Sequence, residues 1–208
     1  VNEIKEMGGE AVVNGGNVAD FAEAKAMIDQ AVETFGGLDI LINNAGILRD
    51  RMIFSMSESD WDGVIGVHLK GTYAPTHHAA NYWRERAKSG EDNDARVINT
   101  SSPSGIYGKI GQANYGAAKA GVINLTKSMA VCWGPQNINV NCIAPGLTAT
   151  EGVARWLPAK TQKDGSPVPT LQYPPDPQHV ADLAVFLAAP GSARISGEVF
   201  PIRALYEV

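Results

Sequence analysis

The order of apolar and polar positions predicts strands that alternate with helices along most of the chain. Residues 20–35 carry apolar side chains at helical spacing, with Asp20 as the cap of the predicted helix. The continuous apolar run at 38–43 is typical of a strand covered on both faces. Strands and helices alternating at this spacing indicate a parallel sheet. The predicted fold class is α/β, a doubly wound parallel sheet with helices on both faces.

The same signals place the other elements. The segment 148–177 is rich in Pro, Thr and Gly and has no long apolar period, so we expect a mobile segment there that covers the substrate, with one short helix near 153–156. The whole chain, 1–208, is one domain in this interpretation. The remaining predicted strands are 11–13, 96–102, 138–143 and 199–202, and the remaining helices are 1–7, 57–88, 115–133 and 178–187.

Composition narrows the function classes. The chain has 208 residues with 44% apolar content, enough for one substantial core. Its net charge of −5, without a Lys/Arg block, argues against a nucleic-acid partner, and no apolar run is long enough to suggest a membrane span. Cys132 and Cys142 lack a CxxC partner and are expected to be reduced, buried thiols of a cytoplasmic protein. The four His residues lack metal-ligand spacing, so we expect no metal site.

A serine, a tyrosine and a lysine in the segment 102–119 carry the candidate chemistry. Tyr115 and Lys119 are four positions apart, so on one helix they share a face, about 6 Å apart along the axis. An ammonium about 4 Å from a phenol favours the phenolate by about 4 kcal/mol, which would bring the phenol pKa from about 10 towards 7. Ser102 ends the predicted strand 96–102 and would deliver its hydroxyl to the same place. These three groups around one oxygen suit the interconversion of an alcohol and a ketone.

Each motif also has a purely structural explanation. A Tyr-x-x-x-Lys spacing occurs by chance in many helices, and a serine at a strand end often serves as a cap or a turn residue. The segment 43–46, Asn-Asn-Ala-Gly, contains residues that favour turns. Small residues at the carboxyl end of a buried parallel strand, however, also let a flat ligand approach the backbone. Agreement among several independent segments favours the functional explanation.

Five motifs together make the chain resemble the classical short-chain dehydrogenases/reductases. They are LINNAG, VHLKGTY, INTSS, YGAAK and IAPG, and they occur in the order and spacing of that family. The resemblance extends from Val1 nearly to the C-terminus and implies a Rossmann-type fold. It also implies an oxidoreductase that uses NAD or NADP, in which the cofactor supplies the hydride and the protein manages orientation and the proton.

The resemblance implies a role for each matching residue. Tyr115 is expected to be the general acid and base, Lys119 to lower the pKa of Tyr115 and hold the ribose hydroxyls, and Ser102 to steady the substrate oxygen. Ser102 is preferred over Ser101 because the family's serine usually lies three residues before a glycine, here Gly105. The residues expected to bind the cofactor are Asn17, Val18, Asn43, Ala45 and Gly46 on the adenosine side, Tyr115 and Lys119 at the ribose, and Pro145, Gly146, Thr148 and Thr150 beside the nicotinamide.

Two positions depart from the family pattern. His68, in VHLKG, stands where the family usually has the asparagine of its catalytic set. In the family the backbone carbonyl of that residue holds a water that leads to the lysine, so a changed side chain is compatible with a relay. The alternative role for His68 is packing, or capping a kink in the helix. Asn17 stands where the family often has an aspartate beside the adenine, and its amide can still hydrogen-bond an amino group.

The glycine-rich phosphate loop of the family has no counterpart in this sequence. The family begins with a strand, a TGxxxGIG-like turn, a helix and a second strand, and none of these precedes Val1. That loop places the pyrophosphate at a helix N-terminus. We therefore expect a natural protein longer by roughly one βαβ unit of about 30 residues, and no cofactor binding by a chain that lacks it. Without that unit, Leu41 and Ile42 would lie on an open apolar edge.

The motifs around His68 and Tyr115 narrow the expected substrate. VHLxG together with GIYGxxGQANY resembles the hydroxyacyl-CoA dehydrogenase region of peroxisomal multifunctional enzymes and is not far from the 3-oxoacyl-carrier-protein reductases. We expect hydride transfer between the cofactor and a secondary alcohol or ketone, with a 3-hydroxyacyl or 3-oxoacyl thioester favoured. The alternative is a catalytically silent relative that serves as an assembly or ligand-binding partner.

Aromatic residues on two predicted helices indicate self-association. The helices at 58–88 and 115–133 carry more apolar and aromatic side chains than one sheet face needs, including Tyr73, Tyr82, Trp83 and Trp133. The family usually pairs these two helices with their copies in a dimer or tetramer. We therefore expect a homo-oligomer. The simpler alternative is that these side chains only cover the sheet.

Overall fold

The computed structural model describes residues 1–150 and 176–202. Its strands form one sheet in the order β1-β2-β3-β4, and every pairing is parallel. With helices on both sides of the sheet, the predicted α/β class is confirmed. The strands are β1 at Ile40–Asn43, β2 at Ala95–Thr100, β3 at Ile138–Pro145 and β4 at Val199–Ile202.

The described ranges contain seven α-helices, and four of them begin at a residue whose side chain caps the helix N-terminus. The Asp20 side chain accepts hydrogen bonds from the backbone N–H groups of Ala22 and Glu23, and Ser57 and Asp60 form the predicted capping box. The helices are α1 at Asn2–Glu6, α2 at Phe21–Phe35, α3 at Glu58–Ile65, α4 at Gly71–Lys88, α5 at Pro103–Tyr107, α6 at Ala113–Trp133 and α7 at Pro177–Ala188.

The predicted long helix is confirmed, since the chain is helical from Glu58 to Lys88, but it contains a π-helical turn that was not predicted. A π-helical segment at Gly66–Lys70 separates α3 from α4. The segment buries His68, and the Thr72 hydroxyl donates to the carbonyl of His68 at 2.7 Å. A π segment widens one turn without breaking the helix. The apolar period of the sequence therefore continues through it and does not reveal it.

The predicted strand 11–13 is also wrong. Residues 9–17 have no regular secondary structure, and the Val13 side chain is exposed. The Val13 carbonyl instead accepts a hydrogen bond from Gln30 Nε2 at 3.2 Å. Strand formation needs a neighbouring strand to pair the backbone groups, and in the described chain β1 at the sheet edge pairs only with β2. Three apolar residues alone do not supply that pairing.

The core lies on both faces of β2 and β3. Successive strand residues point to opposite faces. Val97 therefore packs with Trp83 and Met129 on one side of the sheet, and Ile98 packs with Leu187 on the other. β3 nevertheless alternates apolar residues with amides (Ile138, Asn139, Val140 and Asn141), and all four are buried because the asparagines donate hydrogen bonds to backbone carbonyls at 192–195.

The edge strand β1 is only partly covered. Leu41 packs against the core, whereas Ile40 and Ile42 are 42% and 51% exposed. The expectation of an apolar edge therefore holds for Ile42 and not for Leu41. Side chains of this kind at a sheet edge are a site for further strand pairing.

The two cysteines differ in exposure. Both thiols are free, but only Cys142 on β3 is buried, and the prediction of burial is wrong for Cys132 on the outer side of α6. Within the two described ranges, no helix is long and apolar enough to cross a membrane. Of the predicted substrate-covering segment 148–177, only 148–150 and 176–177 are described, and the short helix expected near 153–156 lies outside the described residues.

Candidate active site

The carboxyl ends of β1, β2 and β3 form one edge of the sheet. The register pairs Asn43 with Asn99, and Asn99 with Cys142, so the residues that follow the three strands lie side by side. This is the edge at which open α/β sheets bind ligands. Ser102 lies just beyond β2, and Gly46 lies beyond β1.

Helix α6 brings Tyr115 and Lys119 to this edge. A Cβ on Gly105 of α5 would lie 2.7 Å from the carbonyl carbon of Lys119 and 2.8 Å from the nitrogen of Ala120, so the close approach of α5 and α6 requires glycine. The Ser101 hydroxyl donates to the carbonyl of Lys119 at 2.9 Å. These contacts fix the first turns of α6 against the end of β2.

The Ser102 hydroxyl lies close enough to the Tyr115 phenol to favour the phenolate form by hydrogen bonding, which acts to lower the pKa of Tyr115. Ser102 is also the N-cap of α5, where its Oγ accepts from the backbone N–H of Ser104 at 3.3 Å. Ser101 instead turns its hydroxyl towards the backbone of α6. The structure therefore brings Ser102 and Tyr115 together, with Ser101 facing away from them.

Burial raises the pKa of Tyr115, opposite to the predicted direction. Desolvation is the largest cause of the higher pKa, because the phenolate would lose its hydration. Hydrogen bonding by Ser102 acts to lower the pKa, and the Asp50 carboxylate acts to raise it further. Lys119 Nζ lies 5.6 Å from the Tyr115 ring centroid and donates to the Thr100 carbonyl, so the ammonium is held beside the ring and beneath the edge of the sheet. In the free chain the phenol therefore stays protonated at neutral pH.

Lys119 is a buried cation at the base of the site. Its exposed fraction is 4%, and burial lowers its pKa to about 8. The Cys142 thiol lies close enough to oppose this change, and its own pKa is raised to about 11 by burial. A pKa of about 8 leaves Lys119 mainly charged at neutral pH, with one of its three N–H donors used by Thr100.

His68 packs edge-on against Tyr115. The ring centroids are 5.0 Å apart with an interplanar angle of 86°. His68 Nε2 lies 2.7 Å from the Ile47 carbonyl oxygen and 3.1 Å from the Ile47 backbone nitrogen, and a Cβ on Gly46 would lie 2.5 Å from His68 Cε1. Burial and the Lys119 charge lower the pKa of His68 to about 4, so the imidazole is neutral at neutral pH.

The comparisons with known proteins agree with this arrangement. A family model described as enoyl-(acyl carrier protein) reductase matches residues 1–203. The chain belongs to the short-chain dehydrogenase/reductase family. A crystal structure of a short-chain dehydrogenase from Mycobacterium avium superposes with a TM-score of 0.83 at 45% identity, covering 98% of this chain and 65% of that one. The family resemblance predicted from the motifs is thus confirmed.

Two curated members of the short-chain dehydrogenase/reductase family are similar over most of this chain. The hydroxyacyl-CoA dehydrogenase ChsB1 of Mycobacterium tuberculosis is 43% identical over 197 residues, which are 94% of this chain and 60% of that protein. The 3-oxoacyl-[acyl-carrier-protein] reductase FabG of Thermotoga maritima is 38% identical over 187 residues, 89% of this chain and 73% of that protein. The chain thus spans about 60% to 73% of the length of these relatives.

In this short-chain dehydrogenase/reductase, the residues after β1 that are expected on the adenosine side of the cofactor differ in their exposure. Asn43 is buried, and its amide donates to Thr76 Oγ1 at 2.8 Å and to Asn99 Oδ1 at 2.9 Å, so its side chain is committed to the interior. Ala45 and Gly46 are exposed at the sheet edge. Of these three residues, Ala45 and Gly46 have surface free for a ligand.

Asn17 and Val18 lie in the loop before α2. Asn17 Oδ1 accepts from the backbone N–H of Ala19 at 3.0 Å, and a Val18 methyl carbon lies 2.6 Å from where a Cβ on Gly71 would be. The Asn17 amide oxygen thus shapes its own loop, and Val18 packs against the first residue of α4.

The residues expected beside the nicotinamide follow β3. Pro145 is the last residue of that strand, and Gly146 donates its backbone N–H to the Ile202 carbonyl at 2.8 Å. The Thr148 hydroxyl donates back to the Gly146 carbonyl at 3.1 Å, and Thr150 is exposed. They continue from the same edge of the sheet as Ser102. No group of three or more His, Cys, Asp or Glu side chains in the described ranges is arranged to hold a metal ion.

Sequence analysis missed the polar residues that join the loop after β1 to the start of α6. Gln112 Nε2 donates to Asp50 Oδ2 at 2.7 Å, and Asn114 Nδ2 donates to the carbonyls of Arg49 and Asp60, each at 3.1 Å. Gln112 and Asn114 are buried amides just before Tyr115 in the segment GQANY. The sequence signal that could have identified them is the pair of amide side chains, Gln112 and Asn114, at the start of a predicted buried helix.

Proposed function

We propose that this chain carries the proton-transfer site of a nicotinamide-dependent oxidoreductase that interconverts a secondary alcohol and a ketone. The hydroxyl pair of Ser102 and Tyr115, with the buried ammonium of Lys119 beside it, carries the proposal. A substrate oxygen between the two hydroxyls receives hydrogen bonds from both. The nearby cation offsets the negative charge that develops on that oxygen.

Tyr115 moves the proton in this proposal. In ketone reduction the Tyr115 phenol donates its proton to the substrate oxygen while the Ser102 hydroxyl holds that oxygen in place. In alcohol oxidation the phenolate form of Tyr115 takes the hydroxyl proton. A bound nicotinamide supplies or accepts the hydride at the substrate carbon. His68, neutral and wedged between Ile47 and Tyr115, holds the phenol ring without exchanging a proton.

The residues at the sheet edge fit a nicotinamide cofactor, NAD or NADP. The fit is supported by the unused N–H donors of Lys119, which suit ribose hydroxyls, and by the small side chains beyond two strand ends, which leave the backbone accessible. The residues we propose to hold it are Tyr115 and Lys119 at the ribose, Ala45 and Gly46 after β1, and Pro145 and Gly146 at the end of β3.

We infer a 3-hydroxyacyl or 3-oxoacyl thioester as the substrate. The support is the naming of two similar proteins, one a hydroxyacyl-CoA dehydrogenase and the other a 3-oxoacyl-carrier-protein reductase. Both names describe the same alcohol–ketone pair at the 3-position of an acyl thioester. The activity is proposed for the protein as a whole, because this chain spans 60% of the first of these relatives.

Substrate-dependent oxidation of the reduced cofactor tests the function. We expect the protein that contains this chain to consume NADH or NADPH when given acetoacetyl-CoA or a 3-oxoacyl-carrier protein, followed by the absorbance of the reduced nicotinamide. Consumption that needs both reactants supports the proposal. Absence of turnover with both cofactors and with short and long 3-oxoacyl thioesters contradicts it, and favours a silent relative that assembles with a partner.

We further propose that the protein is a homo-oligomer that pairs through α4 and α6. A groove of about 470 Å³ runs along the outer side of these helices, and Tyr73 and His77 of α4 face Leu125 and Met129 of α6 across it. Leu125 and Met129 lie roughly 15 Å or more along the helix from Tyr115, so the groove is separate from the site. Apolar and aromatic side chains on such a surface suit a copy of the same chain.

An arginine placed in this groove is expected to break the association. Ala80 lines the groove, so Ala80→Arg would set a charge where the two copies meet. Light scattering is expected to give a dimer or tetramer for the wild type and a smaller species for Ala80→Arg. Ala26→Arg, on the exposed side of α2, is the matched control and should keep the wild-type mass. A monomeric wild type contradicts the proposal.

We also propose a cytoplasmic location, because both thiols are free although Cys132 is exposed. An exposed unpaired thiol is typical of a reducing compartment.

A further inference from the structure

Three side chains form a hydrogen-bonded chain beside the proton-transfer site. Gln112 Nε2 donates to Asp50 Oδ2 at 2.7 Å, and Gln112 Oε1 accepts from the Ser104 hydroxyl at 2.7 Å. Gln112 and Ser104 are buried, whereas Asp50 reaches the surface. Both ends of the Gln112 amide are therefore used, and the carboxylate at one end decides which way the amide points, because a carboxylate only accepts.

This chain ends at the residue that holds the reacting oxygen in the proposed function. With Gln112 Oε1 facing Ser104, the Ser104 hydroxyl must donate to it, while the Ser104 backbone N–H donates to Ser102 Oγ. One lone pair of Ser102 Oγ is thereby occupied, and its hydrogen is left for Tyr115 or for a substrate oxygen. The Ser104 backbone N–H donates to Ser102 whichever way the amide points, so what Asp50 passes on through Gln112 is the position of Ser104 beside Ser102.

The chain is anchored to the start of α6. Gln112 is the residue immediately before this helix, and its carbonyl accepts from Gly116 at 2.7 Å. The loop that carries Asp50 is hydrogen-bonded to the residues just before α6, since Arg51 donates its backbone N–H to the Gly111 carbonyl at 2.8 Å. Asp50 is thus held at the N-terminal turn of α6, where a carboxylate also interacts favourably with the helix dipole, and Tyr115 lies in that turn.

We propose that Asp50 is a positioning residue of the proton-transfer site, which through Gln112 fixes the place of Ser104 beside Ser102 and sets a negative charge beside the turn of α6 that carries Tyr115. The proposal rests on the proposed function for the part that concerns Ser102. The part that concerns Tyr115 stands on the free protein alone.

Asp50 is the charged group among the described residues that disfavours ionisation of Tyr115. A negative charge opposes the formation of a second negative charge nearby. The Asp60 carboxylate is engaged by Ser57 at the start of α3. The other titratable groups on the elements around Tyr115 are Lys119, Lys127 and Cys132 on α6, Cys142 on β3, His68 and Lys70 on the π segment, Tyr107 on α5, Lys109 in the loop before α6, Glu58 and Asp62 on α3, and Arg49 and Arg51 in the loop after β1.

Two variants separate the charge of Asp50 from its hydrogen bond. Asp50→Asn removes the charge and keeps an oxygen that accepts from Gln112. Gln112→Met has nearly the same shape, keeps the Asp50 charge and breaks the chain to Ser104. Asp92→Asn, in the exposed loop before β2 at the opposite end of the sheet, is the matched control for loss of a negative charge.

The charge is tested by titrating Tyr115 in the free protein by NMR, with tyrosines isotope-labelled at Cζ and the Tyr115 signal assigned from Tyr115→Phe. We expect Asp50→Asn to move the Tyr115 titration to lower pH, and Asp92→Asn and Gln112→Met to leave it unchanged. Asp50→Glu, which restores the charge, should move the titration back towards wild type. An unchanged or higher titration midpoint in folded Asp50→Asn overturns the role of the charge.

The positioning role is tested by kinetics in the whole protein. We expect Gln112→Met to lower kcat about tenfold with KM nearly unchanged, since a misdirected Ser102 weakens its hold on the reacting oxygen. A wild-type kcat in folded Gln112→Met overturns this role. If the wild type shows no turnover with any 3-oxoacyl thioester, the proposed function and the positioning of a substrate by Ser102 both fail, whereas the NMR titration still decides whether Asp50 acts on Tyr115.

Discussion

Replacing Tyr115 by phenylalanine is expected to lower kcat for ketone reduction by about 10²–10⁴-fold, the usual contribution of a positioned general acid. The substitution removes only the phenol oxygen. The ring keeps its edge contact with His68 at 5.0 Å between centroids and its place beside Lys119. The loss therefore falls on proton transfer, and we expect KM to change little.

The protonation state of Tyr115 adds a pH dependence to this result. Burial raises the pKa of the Tyr115 phenol, so the acid form needed for reduction persists through neutral pH. Reduction is therefore expected to be nearly independent of pH around neutrality, and oxidation to speed up as the pH rises and phenolate forms. In Tyr115→Phe the part of the rise that comes from the phenolate should disappear, and what remains of the pH dependence near pH 8 is that of Lys119.

Steady-state kinetics in both directions, with Tyr82→Phe as the control, measures these effects. Tyr82 packs against the core cluster and loses the same oxygen in its variant, away from the strand ends that carry Ser102. We expect Tyr82→Phe to retain wild-type kcat. If Tyr115→Phe keeps more than about a tenth of the wild-type kcat while correctly folded, Tyr115 is not the general acid.

Elements with a strong apolar period were predictable. Helix α2 is found where the stripe of apolar residues and the Asp20 cap place it, and β4 lies at the predicted 199–202. The wrong strand prediction at 11–13 and the π turn missed at Gly66–Lys70 have a common cause. A strand forms only where another strand pairs with its backbone, and a π turn differs from an α turn by one extra residue. The spacing of apolar residues along the sequence reveals neither feature.

The candidate site was predictable as a set of residues, and its electrostatics were not. Sequence spacing correctly places Tyr115 and Lys119 on one helix face near Ser102. The expectation that Lys119 lowers the Tyr115 pKa used the distance between the two groups and left out burial, which disfavours both charged forms. Asp50 was missed because its carboxylate comes close to Tyr115 only through the folding of the loop after β1.

Removing the Lys119 charge is expected to abolish turnover and to stabilise the protein. In Lys119→Met a side chain of similar length replaces a cation whose exposed fraction is 4%. Burial lowers the Lys119 pKa from 10.5 to about 8, so holding the charged form inside the folded protein costs about 3 kcal/mol at neutral pH. Loss of the hydrogen bond to the Thr100 carbonyl offsets about 1 kcal/mol of the gain.

The gain in stability should depend on pH. Below pH about 8, Lys119 is charged in both the folded and the unfolded chain, and its full burial cost weakens the wild type. Between pH about 8 and 10.5 the folded wild type has lost this proton while the unfolded chain still binds it, so the unfolding free energy of the wild type rises with pH. The advantage of Lys119→Met therefore shrinks across this window and is lost at its upper end.

Urea denaturation of both proteins at neutral pH and near pH 10 measures the difference directly. Other groups that titrate in this range are present in both proteins, so most of their effect cancels in the difference, except for Cys142, whose pKa is itself lowered by the Lys119 charge. Lys127→Met on the exposed side of α6 is the control, and its effect on stability should be small and the same at both pH values. A Lys119→Met protein that is less stable than wild type at neutral pH would mean that the ammonium holds the site together. A stabilised and inactive variant would mean that the fold is weakened to keep a cation beside Tyr115, as expected of a group retained for chemistry.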